Sequence, residues 1–199
     1  MGREDTMMIS QLIGKTRSYR RFWQAQPVEI ATLKELVGLA RLGGSARNMQ
    51  PLKYLLVNSP AQNTKIFPHL GWAGYLKDWP GPEEGERPAA YIICLLDTRL
   101  SNEAECDLGI ATQNILLGAI AQGLGGCRIA TFSNELKSTL NIADHLQILL
   151  VLALGKPKEK VALQDSGPDG DIKYWRDATQ IHHVPKRSLE EIVLVSQDD

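Results

Sequence analysis

The chain has 199 residues, with 22 lysines and arginines against 23 aspartates and glutamates, for a formal charge of −1. Length and a 43% hydrophobic, 23% charged composition predict one ordinary globular domain with a real core, neither disordered nor fibrous. The neutral balance excludes a broadly basic nucleic-acid binder, and three scattered cysteines (Cys94, Cys106, Cys127) without a C-x-x-C pair argue against a disulfide scaffold or zinc site.

The first residues carry charges of both signs and no apolar stretch, unlike a secretory signal. The longest apolar run, Ile148–Leu154, is far short of the roughly 20 residues of a membrane span. A soluble, cytoplasmic protein is expected.

In chain order, Ile9, Leu12 and Ile13 at helical spacing predict a short first helix leading into Thr16–Phe22. Over 29–42, Ile30, Leu33, Leu36, Val37 and Ala40 form the stripe of an amphipathic helix stopped by Gly43-Gly44. Residues 54–57 predict a strand, and 61–67 a short helix. The Gly-, Pro- and Trp-rich stretch 71–88, with an acidic tip at Glu83, Glu84 and Glu86, predicts a long surface loop. The run AAYIICLL at 89–96 predicts a central strand. Ser101 or Asn102 is positioned to cap a helix over 103–122, with Glu103 and Glu105 near its positive end. That helix is apolar almost all round, which predicts burial in the domain or in a subunit interface. Strands are expected at 127–131 and 146–154, with a short helix between them capped by Ser133. A turn-rich tail follows, ending in the apolar segment 189–195. About four strands among helices give an α/β or α+β fold without the Gly-rich strand–helix unit of a dinucleotide-binding domain.

Gly123-Leu-Gly125-Gly126 follows a helix and opens a strand, so it fits a helix C-cap better than a phosphate loop. Thr16-Arg17-Ser18-Tyr19-Arg20-Arg21-Phe22 concentrates guanidinium forks and hydroxyls suited to a phosphate; solvated surface arginines explain it equally well. Ser45–Pro51 offers the donors and acceptors of Asn48 and Gln50, and Pro51 favours an extended Gln50. His182-His183 lacks partners at metal-ligand spacing, so no metal is expected. Cys127 is read as a small buried residue rather than a reactive thiol. Trp72, Tyr75 and Trp79 either stack on a planar ligand or anchor their loop. Hydrolase motifs are absent from the sequence.

Taken together and in order, TRSYRRF, GSARNMQPL, DLGIATQNILLGAIAQGLGGCRI, LALGKPKEK and HVPKRSLEEIV resemble the FMN-dependent nitroreductase family, over Thr16 to Val193. LGWAGYLKDWPGP and the YWRDATQIHHVPKRSLEEIV tail resemble a subgroup of small nitroreductase-like proteins. The resemblance implies one α+β domain over 1–199 with a central, mostly antiparallel sheet flanked by helices. It implies an intertwined homodimer with FMN at the subunit interface, 71–88 close to the active site, and the 164–199 tail reaching the partner. Gly118, Ala111 and Ala121 would permit close helix approach in the dimer core. It places the phosphate and flavin contacts on Arg17, Ser18 and Arg20, with Lys186 or Arg187 as a carboxyl-terminal cation. Arg20 would face the pyrimidine end, Asn48 and Gln50 the ring or ribityl chain, some from the partner, and the strand at Ile129 and Ala130 would run past N5.

Thr16 stands where many members have a further arginine, and Ala130 where well-studied members often carry an acid. The implied activity is ping-pong hydride transfer from NADH or NADPH through FMN to a nitroaromatic, quinone or similar small acceptor. A non-enzymatic FMN-binding sensor or store is the alternative, and flavin-fragmenting or dehalogenating chemistry a more remote one.

Overall fold

The computed structural model describes residues 8–167 and 169–196. Two helices come first: α1 (Ile9–Lys15) and α2 (Ile30–Arg41). A 3₁₀ turn at Ala46–Asn48 leads into β1 (Leu52–Val57), followed by α3 (Pro60–Ile66), whose Ser59 accepts from the Gln62 amide as N-cap. After the long loop come β2 (Ala90–Asp97), α4 (Glu105–Ala121), β3 (Gly125–Ile129), α5 (Glu135–Thr139) and β4 (Leu146–Gly155). The chain continues through β5 (Val161–Asp165), β6 (Trp175–Arg176), β7 (His182–Lys186) and α6 (Leu189–Ile192).

Strands β1–β4 form one antiparallel sheet in the order β1-β2-β4-β3. Alternate side chains of a strand face opposite ways, and both faces here are covered. Ala90, Ile92 and Cys94 of β2 meet Leu33 and Leu36 of α2 and Ile115 and Leu116 of α4. Tyr91, Ile93 and Leu95 meet Ile66, Leu70 and Leu136 on the other face. Covering on both faces explains why β2 and β4 are continuous apolar runs. The fold is α+β, as the family resemblance implies.

Several local expectations change. Helix α4 starts at Glu105 with Ala104 as its N-cap; Ser101 instead bonds the Glu103 amide and carbonyl in the preceding turn. Gly118 does not await a partner helix, because a Cβ there would strike Leu36 and Leu39 of the chain's own α2. The all-apolar α4 is nonetheless open on one side, where Ile110 is exposed. Gly123, at φ +71°, closes α4 with its amide on the Ile120 carbonyl, the C-cap read from sequence. The tail holds a second sheet, β5-β7-β6, with β5 and β7 parallel. Among the described residues no helix is long and apolar enough to cross a membrane.

Candidate functional site

Residues 16–22 run as an added edge alongside β3. Ser18 bridges Gly126, with the Tyr19 amide on the Gly126 carbonyl at 3.0 Å, and Phe22 bridges Pro157. The approach needs Gly125, and Gly126 packs on the other side against the sheet and α4. A Cβ on Gly125 would meet the Tyr19 ring and Pro157, and one on Gly126 would meet the Ala153 carbonyl at 2.8 Å. Gly125 thus lets Tyr19 of the arginine segment lie close against the sheet.

Along this seam lie two adjoining clefts of about 280 and 290 Å3 that share Arg20, Arg128 and Tyr174. The first is lined by four cations (Arg17, Arg20, Arg128, Lys186), the hydroxyls of Thr16 and Ser18, and no carboxylate among its described lining residues. The second runs along residues 127–131 beneath Gly71–Gly74 of the loop.

Arg20, although buried, spends its guanidinium on neutral acceptors. Its Nη1 donates to the Ser18 carbonyl at 3.2 Å and to His182 Nε2 at 3.1 Å, and its Cζ lies 4.8 Å from the centre of the Tyr174 ring. Burial first, then the Arg20, Arg176 and His183 charges, pull the His182 pKa down to about 4, so its imidazole is neutral at pH 7. Glu159 anchors the segment from behind: it accepts from the Arg20 amide, the Arg21 amide at 3.2 Å and Arg176 Nη2 at 3.0 Å.

Arg128, which sequence reasoning passed over, projects from β3 toward α4. It is held by the Thr112 hydroxyl and the Gln113 side-chain Oε1, both accepting at 2.9 Å. Those partners are uncharged, and burial lowers its pKa. The signal available was a lone arginine in an otherwise apolar strand, two residues past the glycine pair. Arg17 binds the Ile13 carbonyl through Nη2 at 2.8 Å, while its buried Nε has no partner.

The other predicted residues divide. Lys186 lines the cationic cleft, whereas Arg187 is turned to the surface toward Glu191 at 3.4 Å. Ile129 is buried and Ala130, just past the strand, is exposed in the second cleft. Asn48 and Gln50 lie outside both clefts, in a loop fixed by Asp107, which accepts from Ser45 Oγ at 2.6 Å and the Ala46 amide at 3.0 Å. Gln50 is not extended: Arg47, Asn48 and Gln50 all have positive φ (52°, 55° and 50°), and the Gln50 amide turns back to Ser45 Oγ at 2.9 Å. Strained non-glycine backbone of this kind persists where surrounding contacts impose it, often at ligand sites.

The aromatic residues of the loop anchor it. Tyr75 packs against Tyr174 with its ring tilted by 51° at 4.9 Å, Trp72 packs on Phe67, and Arg176 covers Trp79. Glu86, expected at an acidic surface tip, is buried between Arg21 and Lys158. His182 and His183 diverge as adjacent strand residues should, His182 inward to Arg20 and His183 onto the Trp175 ring and Asp177. Burial pushes the Cys127 thiol pKa up, which fits a packing role.

The family model of the nitroreductase family matches residues 13–156. A Methanothermobacter thermautotrophicus protein named "Putative NADH dehydrogenase/NAD(P)H nitroreductase" is 26% identical over 172 residues, 82% of this chain and 85% of that one. Among solved structures, a nitroreductase family protein from Clostridium novyi NT shares 22% identity and a TM-score of 0.63, covering 93% of this chain and 99% of its own. An FMN-dependent nitroreductase from Clostridium difficile R20291 shares 17% identity and a TM-score of 0.59, covering 75% and 87%. The sheet order, the arginine segment docked on β3 and a family match running through β4 converge on one assignment: the chain belongs to the nitroreductase family.

Proposed function

We propose that the chain is an FMN-dependent NAD(P)H oxidoreductase that reduces nitroaromatics, quinones or similar small acceptors, and that it works in the cytoplasm as a homodimer. The observation that carries this reading is the cationic cleft, with four cations facing one space and no carboxylate among its described lining residues. A phosphomonoester carries about −1.5 to −2 charges at neutral pH and accepts strong hydrogen bonds from such groups. Arg17, Ser18, Arg128 and Lys186 would hold it. The adjoining cleft along 127–131 would take the planar ring, with Ile129 and Ala130 beside it.

Bound FMN would supply the two-electron chemistry, so no acid–base side chain need be built into the chain. Arg20 is fixed before any ligand arrives, and a preorganised cation at the ring stabilises developing negative charge. The loop at Gly71–Gly74 would limit water access from one side.

If Asn48 and Gln50 contact the ring as the resemblance implies, a second copy would bring them there, since they lie outside both clefts of their own chain. The apolar residues left exposed support such a partner. Ile9 and Ile13 of α1, Leu39 of α2 and Ile110 of α4 are exposed on helices that pack together, and Leu189–Val195 is an uncovered apolar tail. Arg187 would then contact the partner rather than the phosphate of its own cleft. Titrating the apoprotein with FMN while following flavin fluorescence and light scattering tests this reading. One FMN per chain bound to a dimer is expected; tight FMN binding by a monomer would contradict it.

A further inference from the structure

The loop above the second cleft is held by the sheet only at its ends. At one end the Gly71 amide donates to the Thr131 carbonyl at 2.9 Å, and at the other the Glu86 carbonyl accepts from the Phe22 amide at 2.9 Å. Over residues 73–82, among the described residues, one hydrogen bond leaves the loop. It runs from the Tyr75 amide to Tyr174 Oη at 3.4 Å. The Tyr75 and Tyr174 rings lie 4.9 Å apart, and the Arg176 guanidinium covers Trp79 at 4.2 Å. The middle of the loop is therefore held by the tail.

The same short stretch of tail reaches the arginine segment. The Tyr174 ring centre lies 4.8 Å from Arg20 Cζ and 5.1 Å from the His182 ring. Arg176 Nη2 donates to Glu159 at 3.0 Å, and that carboxylate also accepts from the Arg20 and Arg21 amides. Trp175, between them, turns the other way and stacks on His183 at 4.2 Å, as strand alternation requires.

Tyr174 is half-buried and lines both clefts. One ring thus touches the loop above the second cleft and the buried cation inside it. An aromatic face is electron-rich, so it attracts a guanidinium and favours one placement of it. Ser18 and His182 bind only Nη1 of Arg20, which leaves the ring to restrain the rest of the fork.

We infer that Tyr174 is a positioning residue: it fixes the Arg20 guanidinium at the ring cleft and tethers the middle of the loop above that cleft. The two contacts stand on these residues alone; their effect on a flavin rests on the FMN reading above. Loss of the Tyr174 ring frees the cation and the loop together, whereas loss of the Tyr75 ring frees the loop only.

Hydrogen exchange of the full-length protein as purified, read by mass spectrometry, tests the tether. Tyr174→Leu and Tyr75→Leu should each speed exchange over 73–82 by about three- to tenfold, with exchange in β7 unchanged. Tyr174→Phe, which keeps the ring, should stay within about twofold of wild type. The Arg20 Nε–H resonance, assigned with Arg20→Lys, should move in Tyr174→Leu and hold its place in Tyr174→Phe and Tyr75→Leu. With FMN bound, Tyr174→Leu should show an affinity about three- to tenfold weaker and a more negative midpoint potential, and Tyr174→Phe should restore both. A wild-type protein that takes up no FMN contradicts the flavin reading, and the exchange and resonance results still decide the tether. The inference is overturned if Tyr174→Leu leaves the 73–82 exchange and the Arg20 resonance at wild-type values, or if Tyr174→Phe behaves as Tyr174→Leu does. Tyr75 is exposed, so Tyr75→Leu should fold in any case, and unchanged loop exchange in that variant overturns the tether as well.

Discussion

Arg20 donates through Nη1 to His182 Nε2 at 3.1 Å, and this bond requires a neutral imidazole because a guanidinium has only donors to give. The sequence separation of 162 residues makes it a tie between the amino-terminal arginine segment and the last strand of the second sheet.

The pH dependence follows from that tie. The His182 pKa falls from 6.5 to about 4 on folding, so the folded state resists the proton that the unfolded state takes up. Its contribution is fully present above pH 6.5 and is lost as the pH falls toward 4, a change of about 2 to 3 kcal/mol. Urea unfolding between pH 7.5 and 4 should show this loss, and His182→Gln, which keeps an acceptor, should flatten it. His182→Leu should also weaken FMN binding by about tenfold through release of Arg20.

The cations of the cleft should be separable by FMN titration. Arg128→Gln, Lys186→Ala and Arg17→Ala should each weaken FMN binding on the order of tenfold or more, since each removes a charged donor from the phosphate cleft. The double variant Arg17→Ala, Arg20→Ala should purify colourless. Arg187→Ala, removing a side chain turned toward Glu191, should leave the affinity of a preformed dimer within about threefold.

Glu86 is a buried carboxylate that accepts from Arg21 Nη2 at 2.7 Å and pairs with Lys158 at 2.8 Å. The Arg21 hydrogen bond is the main reason its pKa falls to about 2. Glu86→Gln should cost about 2 to 4 kcal/mol, because it leaves two cations without their counter-charge. Differential scanning calorimetry at pH 7 checks this. The wild-type contribution is present above pH 4.5 and should fade as the pH falls toward 2.

Gly126→Ala places a methyl against the Ala153 carbonyl and Leu116. Backbone cannot yield as a side-chain tip can, so a loss of about 1 to 3 kcal/mol is expected in thermal unfolding. Gly38→Ala, which meets nothing within 4 Å, is the control and should not destabilise.

The strongly patterned elements were readable from sequence because their cause is local. The stripe Leu33, Leu36, Ala40 specifies α2, and the unbroken apolar runs specify β2 and β4. The TRSYRRF segment was equally visible as charge chemistry, although nothing local says that it docks on β3. What escaped is what tertiary contact creates. Strands β5 (VALQD) and β7 (HHVPK) are short and mixed in polarity, and β7 contains Pro185, so no period betrays them. Glu86 and Glu159 look like surface acids until the fold wraps arginine and backbone donors around them. Arg128 reads as a flank of Cys127, and only the sheet register turns it toward α4 and the cationic cleft.

The most direct test of the central claim is anaerobic reduction of the purified flavoprotein. NADH or NADPH should bleach the visible flavin band, and a nitroaromatic or quinone added afterwards should restore it. A protein that holds FMN but bleaches with neither nucleotide would be a flavin carrier, and the proposed reductase activity would be contradicted.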